Sequence, residues 1–435
     1  MTQNKDIKIH VPVLARVEGE GALELDIENG QVSNVKLRIF EPPRFFEKFL
    51  EGRDYNEVID IVARICGICP VAYQMSAVHA IERIFNMPVH PTVRALRRVM
   101  YCGEWLESHS LHIHLLAAPD FLGFNNAIEL GEAYPEEVKR GLRLQHLGNK
   151  LIKMLGGRSV HPVGVQVGGF YRIPTKQECD AILVELKAAV EQAEQLVMWL
   201  ADLSLPHDEQ DFVSVALRHP NEYGMNEGNI VSSMGLNISV EDYQNHFQEI
   251  QAPHSTAFHS HLNGKPYLVG PLARVNLNWD TLHEPVQQLL QNTGIQFPSK
   301  NVFHSIIARA AEIHYALLEA IAILESIELE VPPVKVASKA GVGYACTEAP
   351  RGILWHRYEM DAQGHVVKAT IVPPTSQNQA RIEEDLRNAL NNFDLNKSDD
   401  EIQLHAETII RNYDPCISCS THFLKLTVNR KCGES

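Results

Sequence analysis

Apolar and polar residues alternate along 22–28 and again along 31–40. A period of two is the mark of a half-buried strand. Asn29-Gly30 between them favours a tight turn, so the pair reads as a β-hairpin. Elsewhere the apolar positions recur at helical spacing. Helices are predicted over 55–64, 91–117, 136–155, 301–328 and near 379–391. Gly156-Gly157 closes the third of these. Thr175-x-x-Glu178 is a capping box that opens a long helix through about Leu203. Strands return at 352–360 and 365–372, joined through Asp361-Ala362-Gln363-Gly364, and 211–275 reads as mixed strands and loops. The expected class is α+β: a central bundle of long helices with peripheral β-hairpins and small sheets.

Of the 435 residues, 45% are hydrophobic, enough for a large core. The net charge of −15 disfavours nucleic acid and anionic membrane surfaces. No apolar run approaches the ~20 residues that span a bilayer, and the greasiest stretch, 314–328, is broken by Glu319 and Glu325. The start, Met1 to Asp6, is polar and has no apolar signal core. The expectation is a soluble, cytoplasmic chain with neither a membrane span nor a nucleic-acid partner.

Four of the eight cysteines form two Cys-x-x-Cys pairs, Cys66/Cys69 and Cys416/Cys419, at opposite ends of the chain. Gly67 lets the first loop turn, and Pro415 stiffens the entry to the second. Four thiolates brought together repel one another unless cations neutralise them, so one shared metal centre is the economical reading. Soft sulfur ligands favour zinc, copper, iron–sulfur or nickel-like ions. Structural zinc is the usual meaning of two such pairs, but zinc ribbons keep them roughly 15–20 residues apart. A redox dithiol accounts for either pair alone, not for both. The wide separation means that most of the chain folds before the centre exists, which argues for one interlocked domain over 1–435. Cys102, Cys179, Cys346 and Cys432 are scattered and read as small buried hydrophobes.

Other features carry less chemistry. Glu18, flanked by Arg16 and Glu20, is either a solvated charge at a strand start or a functional carboxylate. His109 and His112 share a helix face, with His114 close by, but no carboxylate motif accompanies them, so packing or support of the ligands near the site is the favoured role. The Gly-rich run 156–169 lacks the spacing of a dinucleotide fingerprint.

The flanks of the two pairs, Arg64-Ile65-Cys66-Gly67-Ile68-Cys69 and Asp414-Pro415-Cys416-Ile417-Ser418-Cys419-x-x-His422, resemble the large subunit of nickel–iron hydrogenases. So do Arg16-Val17-Glu18-Gly19, Phe46-Glu47, Glu348-Ala349-Pro350-Arg351-Gly352 and Val372-Pro373-Pro374-Thr375. The resemblance runs nearly end to end and looks most like the cytoplasmic, NAD(P)-linked hydrogenases, also called sulfhydrogenases. Respiratory complex I subunits share that fold but lack the cysteine quartet.

The resemblance implies reversible heterolytic cleavage of dihydrogen at a nickel–iron centre. Cys66 and Cys416 would be terminal nickel ligands, and Cys69 and Cys419 would bridge to an iron that carries carbon monoxide and cyanide. Cys416 would take the proton and Glu18 relay it. Arg351, with Pro350 and Thr375, would line the pocket of the diatomic ligands. Glu47, the Ile371 carbonyl and His422 would bind magnesium, and Asp120 would sit above the metals. Residues 423–435 would be a maturation peptide cut after His422 by an endopeptidase, once nickel-insertion proteins have loaded the site. Electrons have no exit in the chain itself. The implied partners are an iron–sulfur small subunit and diaphorase subunits that hold flavin and NAD(P). A deazaflavin or heterodisulfide acceptor is the alternative.

Overall fold

The computed structural model describes residues 6–42 and 45–421. Strand β1 (Ile7–Val11), which the sequence pattern did not announce, pairs antiparallel with β2 (Gly21–Glu28), and β2 pairs with β3 (Gln31–Ile39). Asn29 and Gly30 turn the expected hairpin, both at positive φ, 53° and 74°.

Helix α1 (Tyr55–Val62) opens on a capping box from Asp54 and leads to the first cysteine pair. The long helices follow: α2 (Pro70–Phe85), α3 (Pro91–Leu111), α4 (Pro135–Gly156), α5 (Lys176–Ala201) and α6 (Ser305–Ser326). α3 packs along α4, and α6 packs against both α3 and α5. Leu96, Trp105, Leu151, Leu186, Ile307 and Ala311 belong to their shared core. Each large apolar side chain buried there contributes about 1.5–3 kcal/mol. The predicted Thr175–Glu178 capping box forms: Thr175 Oγ1 accepts from the Glu178 amide, and Glu178 Oε2 accepts from the Thr175 amide.

Two expected helices are trimmed. The one predicted over 91–117 is regular only to Leu111, then widens into a π-turn over His112–Ala117. The one expected from 301 begins as a 3₁₀ turn, Val302–His304, capped by the Asn301 side chain.

The 211–275 region holds short strands, as expected, including the hairpin β4 (Phe247–Gln251) with β5 (Phe258–Leu262). A further sheet runs in order β6 (Gly341–Ala349), β7 (Gly352–Met360), β8 (Val366–Val372), all antiparallel. Helix α7 (Pro374–Asn391) starts earlier than the predicted 379. Proline suits the first helical position. The first turns carry buried polar residues, Thr375 to Gln379, so no apolar period marked them. Helix α8 (Asp399–Asn412) follows. α7 and α8 cover the N-terminal sheet, with Leu25, Leu37, Ile382, Leu386, Ile402 and Ile409 in one core. Among the described residues no helix is long and apolar enough to cross a membrane.

Candidate metal centre

Cys66 and Cys69 occupy the loop between α1 and α2. Cys69 is the N-cap residue of α2, and Pro70 fixes the first helical φ. The amides of Ile68 and Cys69 point at Cys66 Sγ, 3.3 and 3.2 Å away. Glu104 on α3 accepts from the amides of Val71 and Ala72, which anchors the start of α2 to the bundle. The second pair follows α8. Asp414 takes φ 55° and turns the chain into Pro415, and Thr375 Oγ1 accepts from the Cys416 amide at 3.0 Å.

All four cysteines are buried, and their sulfurs lie within 4.8 Å of one another. Cys66 faces Cys416 at 3.6 Å, Cys69 faces Cys419 at 3.9 Å, and Cys416 and Cys419 are 2.7 Å apart. Burial raises the Cys66 thiol, but hydrogen bonds from the other three outweigh it and hold Cys66 well below the usual value. Cys416 is pushed up, chiefly by its hydrogen bond to Cys419, and Cys419 chiefly by burial. The quartet therefore cannot carry four charges unaided; soft cations supply what it lacks.

Glu18 is tied to the second pair from the N-terminal end. Its Oε2 accepts from the Ser418 amide at 3.0 Å and from Cys416 Sγ at 3.1 Å, while its backbone carbonyl accepts from the Ile417 amide at 2.9 Å. Gly19 makes this approach possible. Its φ is 89°, and a Cβ there would stand 2.8 Å from Ile417 Cβ and 2.9 Å from the Ser418 amide.

Arg351 lies buried at the turn between β6 and β7. Its Nε donates to the Asp414 carbonyl at 2.8 Å and its Nη2 to the Asp414 carboxylate at 3.2 Å. Its Nη1 is buried with no hydrogen-bond partner among the described residues. Burial opposes ionisation of Asp414, but Arg351, His112 and Arg309 together keep its carboxyl below the usual range. Behind Arg351, Arg274 grips Glu312 at 2.6 and 2.7 Å, Glu348 at 2.9 Å and the carbonyls of Ala349 and Pro350. His109 Nε2 donates to the same Glu312 at 2.9 Å. Arg274, Glu312 and Asp414 were not singled out in the sequence, although Asp414 stands in the Asp-Pro-Cys motif.

Glu47, on the short helix Phe46–Leu50, meets Ile371 on β8: the Ile371 amide donates to Glu47 Oε1 at 2.7 Å. Both line a cleft of about 220 Å³ together with Ser418, Cys419 and Thr421. His422 and the stretch 423–435 lie outside the described residues. Asp120 was expected above the metals. It is clasped by Arg16 and by Arg411, at 2.7 and 2.9 Å, and the aspartate that meets Arg351 is Asp414. His109, His112 and His114 are buried and engaged with Glu312, the Arg411 carbonyl and the Ser110 carbonyl, the packing role expected.

The nickel-dependent hydrogenase family model matches residues 44–140 and 238–422. The chain is 34% identical to sulfhydrogenase 1 subunit alpha of Pyrococcus furiosus, over 98% of this chain and 100% of that one. It is also 34% identical to sulfhydrogenase 2 subunit alpha of the same organism, over 96% of this chain and 100% of the other. The structure is similar to that of an NAD+-reducing nickel–iron hydrogenase in its H2-reduced state, with a TM-score of 0.85, 26% identity, and coverage of 96% of this chain and 99% of that one. With four buried thiols converging where the family motifs fall, the chain belongs to the nickel-dependent hydrogenases.

Proposed function

We propose that Cys66 and Cys416 hold nickel terminally, that Cys69 and Cys419 bridge it to iron, and that Glu18 carries protons away. The convergence of the four sulfurs with Glu18 on Cys416 is the observation that carries this reading. The donor set fits such a centre: soft sulfurs suit nickel and iron, and the orphaned Arg351 Nη1 is a buried donor in want of an acceptor. Cyanide on the iron, beside carbon monoxide, is the acceptor proposed, because a guanidinium suits a small anion in both charge and geometry. Pro350 and Thr375 flank it.

The nickel–iron pair, when bound, supplies the reversible heterolytic splitting of dihydrogen. The residues handle the proton. Cys416 Sγ receives it and hands it to Glu18 Oε2 across 3.1 Å, a distance within general acid–base reach. The Ser418 amide keeps that oxygen in place. Glu47, the Ile371 carbonyl and His422 are assigned to magnesium, whose preference is for hard oxygen ligands.

Electrons leave to an iron–sulfur small subunit. The relatives' names, which call them alpha subunits, support a partnered chain. Likeness to an NAD+-reducing enzyme supports flavin- and NAD(P)-binding subunits beyond it, in the cytoplasm. An endopeptidase and nickel-insertion proteins complete maturation by removing 423–435. Elemental analysis of hydrogen-active material tests the assignment: about one nickel and one iron per chain are expected. Stoichiometric zinc without nickel would overturn it.

A further inference from the structure

A second group of metal-ligating side chains lies outside the cysteine quartet. His254 sits in the loop between β4 and β5, His259 on β5, and Glu383 on α7. One donor atom from each falls within 4.8 Å of the others. His254 Nε2 is 2.8 Å from Glu383 Oε1, and His259 Nδ1 is 4.0 Å from Glu383 Oε2. The two imidazole rings stand 5.5 Å apart at 75°.

We propose that His254, His259 and Glu383 bind a divalent transition-metal ion of the zinc class. An ion about 2.1 Å from each donor holds the donors roughly 3–4 Å apart, and here the carboxylate lies 2.8 and 4.0 Å from the two imidazoles, with all three donors within 4.8 Å. Two imidazoles and one carboxylate are a ligand set that zinc favours. A simple ion pair accounts for His254 with Glu383 and leaves His259 unexplained. Its Nδ1, the nitrogen that faces Glu383, stops short of hydrogen-bonding distance to the carboxylate. Burial also lowers the basicity of His259, which keeps the ring neutral, the form that ligates. His254 and Glu383 remain 19% and 18% exposed, which leaves an entry path and room for water to complete the coordination.

Glu383 Oε1 also accepts from the Leu37 amide on β3 at 2.8 Å, which fixes the carboxylate. The same loop carries Thr256, bonded to the Ile39 and Glu41 carbonyls, and Ala257, bridged to Thr421. An ion here would fasten the N-terminal sheet, α7 and the segment that bears Cys416 and Cys419.

The test uses matured enzyme, incubated with excess zinc sulfate, stripped of unbound ion by gel filtration and analysed for zinc, nickel and iron together. Wild type is expected to retain about one zinc beyond its nickel and iron. His259→Asn and Glu383→Gln, the second of which keeps the acceptor for Leu37, are expected to weaken zinc binding about tenfold or more with nickel and iron unchanged. Zinc is expected to raise the thermal midpoint of wild type and not of either variant. No retained zinc in wild type, or equal retention and equal thermal shifts in all three proteins, would overturn the site.

Discussion

Glu18 Oε2 lies 3.1 Å from Cys416 Sγ, with the Ser418 amide donating to the same oxygen. That contact joins a titratable oxygen to a candidate nickel ligand. Glu18→Gln preserves size and hydrogen bonding to Ser418 but cannot relay a proton. Hydrogen uptake and H/D exchange are expected to fall by about 100-fold or more, with nickel and iron retained. Exchange at the wild-type rate would place the relay elsewhere.

Arg274 neutralises Glu312 and Glu348 in a site with no solvent exposure. Removing one member of a buried ionic group costs about 3–5 kcal/mol, because its partners stay buried and unpaired. Arg274→Met is therefore expected to lower the thermal midpoint markedly. It also frees the carbonyls of Ala349 and Pro350 that set the position of Arg351. A midpoint equal to wild type would show that the acids find other partners.

His114 is buried against Trp199, and burial lowers its pKa to about 4. Between that value and its ordinary 6.5, the unfolded chain binds a proton that the folded chain does not. Stability is complete above about pH 6.5 and drains away as pH falls, by about 2 kcal/mol for this ring at pH 5. His114→Phe keeps the stacking and removes the titration. Its thermal midpoint is expected to drop less than that of wild type between pH 7 and pH 5; equal drops would refute the assignment. Arg140 also faces this ring, so it remains unaltered in the comparison.

Maturation gives a mass readout. Hydrogen-active large subunit is expected to end at His422, which intact-mass spectrometry reads directly. Full-length chain with full activity would refute cleavage and leave His422 without its proposed magnesium role.

Much of the centre was legible because its parts are short local signals. The two Cys-x-x-Cys pairs, Glu18 beside Gly19, and Asn29-Gly30 each announce themselves within a few residues. The partners of the charges were not legible. Nothing in the neighbourhood of Asp120 says that Arg16 and Arg411 will claim it, or that Asp414 will meet Arg351. Those choices depend on which elements pack together, and local pattern carries no record of that. The start of α7 was hidden for a related reason: Thr375, Ser376, Gln377 and Asn378 are buried by hydrogen bonds, so polarity misreported their place. Strand β6 carries glycines at 341 and 343, which weaken a strand signature.

Cys66 and Cys416 touch across 350 positions of chain. At synthesis rates of about 5–20 residues per second, the first cysteine pair waits on the order of 20–70 s on the ribosome for the second. Throughout that interval Cys66 and Cys69 form a bare two-sulfur chelate in a cell that contains zinc and copper. The finished cage cannot select its ion while half of it is unmade. Fidelity of loading is thus a matter of kinetics, decided by which carrier reaches the nascent pair first.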